Sequence, residues 1–526
     1  MSDPSSGAMP TPRRLRLHLA SIWVAAALMF LVGESALATA RSSMRTMGKD
    51  AAPSILAAQE IASDLADLDA NAGNYLFKTG KDGARAAFEQ KRRKVLGRMV
   101  DAAENITFGD AEKTPINNLF EGLTLYLGRI AEMRTLEDDG RHDRAVGAYL
   151  AASVELHERV LPAATALDSV NAHHMDVAYA SAMKATTAAS ALSVLLGTGL
   201  IVTLVAAQLF VFRHMRRVFT PGLVVATALA LAQVIYVSNR VNEARATLRV
   251  AQDDAFASIH TLWRARAIAY DANGDETRWL IDPAASAAQW EPTFDARVKL
   301  LTSEPAIPKR VRDEMDRVKV GGPKMTAMKG LFADALSNLT FAGEPQAARR
   351  MVEAFAKYYA IDRQIRDLER KGRHDDAVEL CTGTKAGQSN AAFAAFDTAL
   401  SELVDVNMKA FQSSIDGGLA DLASAEVADP ALTALIALLA FFGIRPRLRE
   451  YALCRRPASP RSTACSTPGT SGSGASTTTC SRSRPTPRTG SARAAGPSSR
   501  ASRASGWGRP SRGSRRCSAI ASGWVR

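Results

Sequence analysis

Apolar residues follow two rhythms along this chain. Four stretches are almost continuously apolar: Leu19–Gly33, Ala188–Phe212, Pro221–Asn239 and Ala431–Ile444. The second, at 25 residues, exceeds the roughly 20 that cross a ~30 Å hydrocarbon core. The fourth is short and must borrow Val427 and Ala428 from its flank or thin the bilayer locally. Between these stretches the pattern becomes amphipathic. Ile61, Leu65 and Leu68 recur at helical spacing, as do Leu119, Leu123, Tyr126, Leu127 and Ile130. Such stripes predict the core faces of packed helices rather than ligand contacts.

Breaks at Gly80, at Gly109 to Pro115 and at Gly140 divide residues 41–187 into about four helices. The last runs on into the second apolar stretch, with Pro162 expected to kink or interrupt it. In residues 240–429 the breaks fall at Asp282-Pro283, Glu304 to Pro308, Gly343 to Pro345 and Gly372. The expected fold is an all-α integral membrane protein. It has four transmembrane helices, two tandem extracytoplasmic antiparallel four-helix bundles and a disordered C-terminal tail.

Internal echoes support a duplication. Gly140-Arg141-His142-Asp143-Arg144-Ala145-Val146 returns 232 residues later as Gly372-Arg373-His374-Asp375-Asp376-Ala377-Val378. Leu136-Glu137 and Leu368-Glu369 precede the two copies at the same offset, and Asp69-Ala70-Asn71 returns as Asp271-Ala272-Asn273 after 202 residues. That spacing is too wide for a solenoid. It predicts a repeated unit of about 200 residues: a helix hairpin through a membrane that carries an external domain, with about 30 extra residues between the echoed motifs of the second copy.

Flanking charge orients the hairpins. Arg13, Arg14 and Arg16 precede the first span, Arg213, Arg216 and Arg217 lie between the second and third, and Arg445, Arg447 and Arg449 follow the fourth. The positive-inside rule places all three clusters in the cytoplasm, so the chain runs N-in and C-in. The expected layout is a cytoplasmic N-terminus at 1–17 and spans at 18–40, 188–212, 221–239 and 430–444. External modules fill 41–187 and 240–429, with a cytoplasmic turn at 213–220 and a cytoplasmic tail at 445–526. The first span also resembles a signal peptide with a cleavage site at Ala36-Leu37-Ala38, and that alternative leaves the later topology unchanged. The six arginines from Arg213 to Arg449 are read as topology anchors or as docking residues for a cytosolic partner.

Composition changes the picture only once the chain is divided. The formal charge is +13, but residues 451–526 hold fourteen Arg and no Lys, Asp or Glu, leaving −1 for the rest. The basic balance therefore gives no reason to expect nucleic acid. Four of the five cysteines, Cys454, Cys465, Cys480 and Cys517, lie in that tail, so Cys381 is alone in the body and no disulfide framework forms there. The tail's Ser, Arg, Pro, Ala, Gly and Thr mixture is what GC-rich codons give in a wrong frame, and we read a frameshift after about residue 451. The other reading is a real basic segment on the anionic inner leaflet.

Candidate chemistry is sparse. The spans carry no Asp, Lys or Arg at their centres; Gln208 and Gln233 are their most polar residues and Glu34 sits at an outer edge, which disfavours transport. The repeated Gly-Arg-His-Asp reads as a turn in which a left-handed glycine ends one helix and the aspartate caps the next. A sensing or metal role for His142 and His374 is the weaker reading, and His173-His174 is too isolated for a metal. Asp271, Asn273, Asp275 and Asp282 imitate a calcium loop, but Glu276 stands where glycine is required. These residues are expected on a solvated helical face. No nucleophile with its base, no phosphate loop and no cofactor motif is found, so no enzyme and no cofactor is expected.

The duplicated layout, the segment Ala265–Leu280 (Ala-Arg-Ala-Ile-Ala-Tyr-Asp-Ala-Asn-Gly-Asp-Glu-Thr-Arg-Trp-Leu) and the ending Gly443–Tyr451 (Gly-Ile-Arg-Pro-Arg-Leu-Arg-Glu-Tyr) resemble the GlnX-type membrane proteins of high-GC Gram-positive bacteria. The resemblance covers about 15–451, and the external modules also look like chemoreceptor sensor domains. It implies a partnership between a glutamine-binding-type lipoprotein outside the cell and a cytosolic Ser/Thr kinase, PknG, inside. A transmembrane signal transducer is the function expected. A structural scaffold of the envelope and an accessory subunit of a transporter are the alternatives, and association with a second copy stays open.

Overall fold

The computed structural model describes residues 10–78, 81–215, 220–281 and 283–453. Gly80, Arg216, Arg217, Asp282 and the tail from residue 454 lie outside the described residues. All regular structure within them is helical. In chain order the helices are α1 Thr11–Arg45, α2 Ala52–Asn74, α3 Lys81–Glu104, α4 Asp110–Asp138, α5 His142–Glu155, α6 Leu161–Met215 and α7 Pro221–Arg249. They continue with α8 Ala257–Ile281, α9 Pro283–Leu301, α10 Lys309–Met315, α11 Leu331–Ser337, α12 Glu344–Arg370, α13 His374–Thr382 and α14 Ser389–Leu453.

Four rods dominate. Thr11–Asn74, His142–Met215, Pro221–Ile281 and Ser389–Glu450 are each long and apolar enough to cross a membrane. At 1.5 Å per residue, rods of 61 to 74 residues run for roughly 90–110 Å, about three times the hydrocarbon thickness. Each must therefore extend well beyond any bilayer that holds it.

Three of the rods contain one widened, π-helical turn: Thr46–Ala51, Leu156–Val160 and Val250–Phe256. Proline explains two of them. Pro162 has no N–H, and its ring crowds the carbonyl of Glu158, so the turn before it opens. Pro53 stands in the same relation to Lys49. The expected interruption at Pro162 is thus absorbed without breaking the rod. Val250–Phe256 has no proline behind it, and nothing in its local sequence explains the turn.

At their apolar ends α1, α6, α7 and α14 form a four-sided group in which α1 and α7 each pack on both α6 and α14. Leu15, Ile22, Leu200, Leu204, Leu223, Ala226, Ile436 and Ile444 fill its centre. Gly222 lets α7 approach α14 closely, because an added Cβ would lie 2.9 Å from the Leu439 carbonyl oxygen. Large apolar side chains such as Leu31, Leu195, Leu231, Ile235 and Phe442 face outward instead. An exposed band of this kind is costly in water and is consistent with a membrane protein.

Beyond this band, α2, α3, α4 and the rod from α5 into α6 enclose one core. Ile61, Leu65, Leu68, Leu119, Leu123, Tyr126 and Ile130 are all buried in it, as their spacing predicts, with Leu127 partly buried against it. A second group follows, built from α8, α9, α12, α13 and α14. There Thr302–Gly343, holding the short α10 and α11, accounts for the additional residues of the second copy. We call these the first and second modules.

Candidate functional site

The two modules meet along α2 and α8, the helices that carry the Asp-Ala-Asn echo. Gly73 permits the approach, since a Cβ there would sit 2.7 Å from the Tyr149 hydroxyl and 2.8 Å from Thr277 Cγ2. Asn273, Asp275, Glu276, Thr277 and Arg278 are buried at or near this contact. This corrects the expectation of a solvated face. The calcium-loop imitation is no loop over its first three positions, because Asp271, Asn273 and Asp275 lie within α8; Asp282 is outside the described residues.

A polar centre spans the interface. Arg278 donates from Nη1 to Asp69 Oδ2 of the first module at 2.5 Å, and from Nη2 to Asp275 Oδ1 at 2.7 Å. Tyr126 and Ser153 donate to Asp69, each at 3.1 Å. Arg297 pairs with Asp275 and reaches Asp271 Oδ2 at 2.9 Å. His157 Nε2, from the widened turn of the first module, lies 2.7 Å from Asp271 Oδ1. Three carboxylates thus face two guanidiniums and an imidazole, and the charges balance when His157 is protonated. Burial works against that proton, but the bond to Asp271 and its charge outweigh it and raise the His157 pKa. Asp271 moves the other way, to about 2: burial opposes the shift, and His157, Arg297 and Arg278 overcome it.

Deeper in the second module Arg366 pairs with Asp362 at 3.0 Å and lies 4.7 Å from the ring centres of both Trp279 and Phe294. Glu276 accepts from Ser389 at 2.7 Å and from the Cys381 thiol at 3.3 Å. Burial, with repulsion from Asp362, raises its pKa to about 8, which favours the neutral carboxyl. Burial and Glu276 push the Cys381 thiol well above its usual range, which keeps it out of thiolate chemistry.

At the ends of α2 and α8 farthest from the apolar band, the two copies of the heptapeptide open onto one cleft of about 850 Å³. Leu76, Phe77, Ile281 and Val378 give it apolar walls; Glu137, His142 and His374 stand on its rim with Lys78, Asp375 and Glu379. The two turns are built alike. Gly140 and Gly372 take φ of 76° and 72°, and the amides that follow bond back to Leu136 and Leu368, closing each helix end as the sequence predicts. Capping by aspartate is not observed. Arg141 and Arg373 hold the cap positions, and Asp143 and Asp375 lie inside the first turn, where they favour the helix dipole. The histidines close the turns instead, with Nδ1 2.9 Å from Glu137 Oε2 in one and 2.8 Å from Glu369 Oε2 in the other. A cleft of this volume suits a small solute. Among the described residues, no group of three His, Cys, Asp or Glu side chains is placed to hold a metal.

A third echo went unread in the sequence. Asn105-Ile106-Thr107-Phe108 returns as Asn338-Leu339-Thr340-Phe341 after 233 residues, nearly the heptapeptide spacing, and that spacing is the signal that finds it. In each copy the Thr and Phe amides donate to one buried glutamate, Glu112 or Glu344, at 2.6–2.7 Å. The asparagine amide reaches a serine just beyond a widened turn: Asn105 to Ser54, and Asn338 to Ser258, both at 2.9 Å. Asn338 also bonds the Asp254 carbonyl within that turn at 3.1 Å.

The arginines are placed at the opposite end. Leu15, Val211, Leu223 and Ile444 share one core there, which gathers the basic ends of α1, α6 and α14. Arg213 is exposed, as are Arg445 and Arg449, whereas Arg447 is largely covered and pairs with Glu450 at 2.9 Å.

Residues 43–180 match the family model of an actinobacterial sensor domain. The matched segment begins at the end of α1 and takes in the first widened turn, the whole first module and the start of α6. A sensor or signalling role follows for the chain, and the four apolar rods fit a sensor of the membrane. No curated protein and no solved structure matches this chain.

Proposed function

We propose that this protein is a non-enzymatic transmembrane signal transducer. Its two modules stand outside the cell as tandem four-helix bundles, its four rods cross the membrane, and both termini lie in the cytoplasm. One observation carries the reading: every rod runs without a break from the module region into the apolar band, so a movement in the modules is inherited by the spans. A solute in the shared cleft, or a solute-binding lipoprotein over it, favours one separation of the modules. Displacements of roughly 1–2 Å along helices are enough for such switching. The resemblance to GlnX-type proteins supports a lipoprotein as the outer partner and a Ser/Thr kinase as the inner one, contacted through Arg213 and the segment from Arg445 to Arg449.

Reporter fusions test the arrangement. A reporter active only outside the cytoplasm should work when fused at Gly140 or Gly372 and be silent at Met215. Activity at Met215 would sink the four-span reading.

A further inference from the structure

We propose that the outward face of α14, at its basic end, is a binding site for one anionic phospholipid. Leu435, Leu438 and Phe442 are 44%, 53% and 58% exposed and follow one another at helical spacing down a single face. Arg445 and Arg449 continue the same stripe and are also exposed. The apolar part of the stripe offers a bed for acyl chains. The basic part begins where a headgroup would begin.

A cavity of about 430 Å³ lies there, lined by Phe442, Arg445, Pro446, Arg449 and Glu450. Among the described residues neither Arg445 nor Arg449 pairs with a carboxylate, and residues 451–526 contain no Asp or Glu to offer one. The Arg445 guanidinium carbon lies 5.4 Å from the Phe441 ring centre, a cation–π contact that takes up none of its N–H donors with a carboxylate. Glu450 is occupied by Arg447. Two guanidiniums one helical turn apart can share the oxygens of one phosphate. A choline headgroup brings its own cation to the same place and is disfavoured. The site rests on the four-span reading above.

The experiment uses the full chain, purified and exchanged into nanodiscs of phosphatidylglycerol mixed with phosphatidylcholine, with retained lipid counted by native mass spectrometry after release. The wild type should retain phosphatidylglycerol with roughly tenfold or greater preference. The Arg445→Gln/Arg449→Gln variant should lose that preference, while Arg13→Gln/Arg16→Gln, equally reduced in charge but on α1, keeps it. Helical content by circular dichroism confirms that each variant is folded. Equal retention of both lipids, an equal loss in Arg13→Gln/Arg16→Gln, or displacement by inorganic phosphate would overturn the assignment. Recovery of the chain in the soluble fraction after cell breakage would defeat the four-span reading itself, a separate outcome.

Discussion

His157 and Asp271 belong to different modules, yet Nε2 of one lies 2.7 Å from Oδ1 of the other. The second ring nitrogen, Nδ1, is 2.7 Å from the Ser153 carbonyl oxygen. Both neighbours are acceptors, so both nitrogens must donate. Only the imidazolium satisfies that geometry. The groups around it are Asp271 and Arg278 from α8, Asp69 from α2 and, through Asp271, Arg297 from α9.

This contact predicts a pH dependence. The folded pKa of His157 is raised above 6.5, so its stabilisation is complete below that value and is lost as pH rises through the folded pKa. Asp271 is depressed to about 2 from 3.8, and its contribution is present above 3.8 and fades as pH falls toward 2. Thermal melts should therefore show the module contact strongest between about pH 4 and 6.5 and weaker at pH 8. In His157→Gln the decline between pH 6 and 8 should flatten; an unchanged slope would assign it to other groups.

Arg278 supports a second prediction. Replacing it with Met leaves Asp69 and Asp275 short of their buried cation and should cost about 3–5 kcal/mol in denaturant unfolding. Asp69→Asn combined with Arg278→Met should cost less than the two single changes added together, because each removes the other's unpaired charge. Strict additivity would mean that the pair is not coupled.

The asparagine bonds beside the widened turns make a local prediction. Asn105→Ala should loosen Thr46–Ala51, and Asn338→Ala should loosen Val250–Phe256. Each loses side-chain bonds worth about 1–2 kcal/mol, or roughly five- to thirtyfold faster amide exchange. Hydrogen exchange read by mass spectrometry separates the two regions. Equal loosening of both turns by either variant would show that the bonds do not act locally.

The inner face can be tested by co-purification. Membranes expressing the chain with and without residues 445–451 should differ in recovery of a cytosolic Ser/Thr kinase if that segment is a docking element. Unchanged recovery would remove that role and leave the arginines as topology and lipid contacts.

Much of the fold was legible because it is local. The four apolar runs, the stripe from Leu119 to Ile130, and the glycines at 140 and 372 each declare themselves within one or two helical turns. The interface was not legible. Asp271, Asp275 and Glu276 look solvated in sequence because α2, which packs on their helix, and the groups that pair with or donate to them, His157, Arg297 and Ser389, arrive from elsewhere in the chain. Burial by a partner some 200 residues away leaves no periodic trace. The aspartate cap failed on a boundary: α5 and α13 begin at His142 and His374, one residue ahead of Asp143 and Asp375. The widened turn at Val250–Phe256 was invisible for a different reason, having no proline to mark it.

One contact at the centre has no mirror image. Under the 202-residue spacing the counterpart of Asp69 is Asp271, but the counterpart of Arg278 is Leu76, which has no charge to give back. In a two-fold homodimer a contact between two positions must occur twice; in this single chain it occurs once, and Asp271 is held by His157 instead. The halves are therefore a pair that cannot exchange roles. On the proposed reading, a stimulus entering their common cleft would meet two unlike arms, and the response would acquire a direction: a tilt with a sign, where equal arms would only open and close.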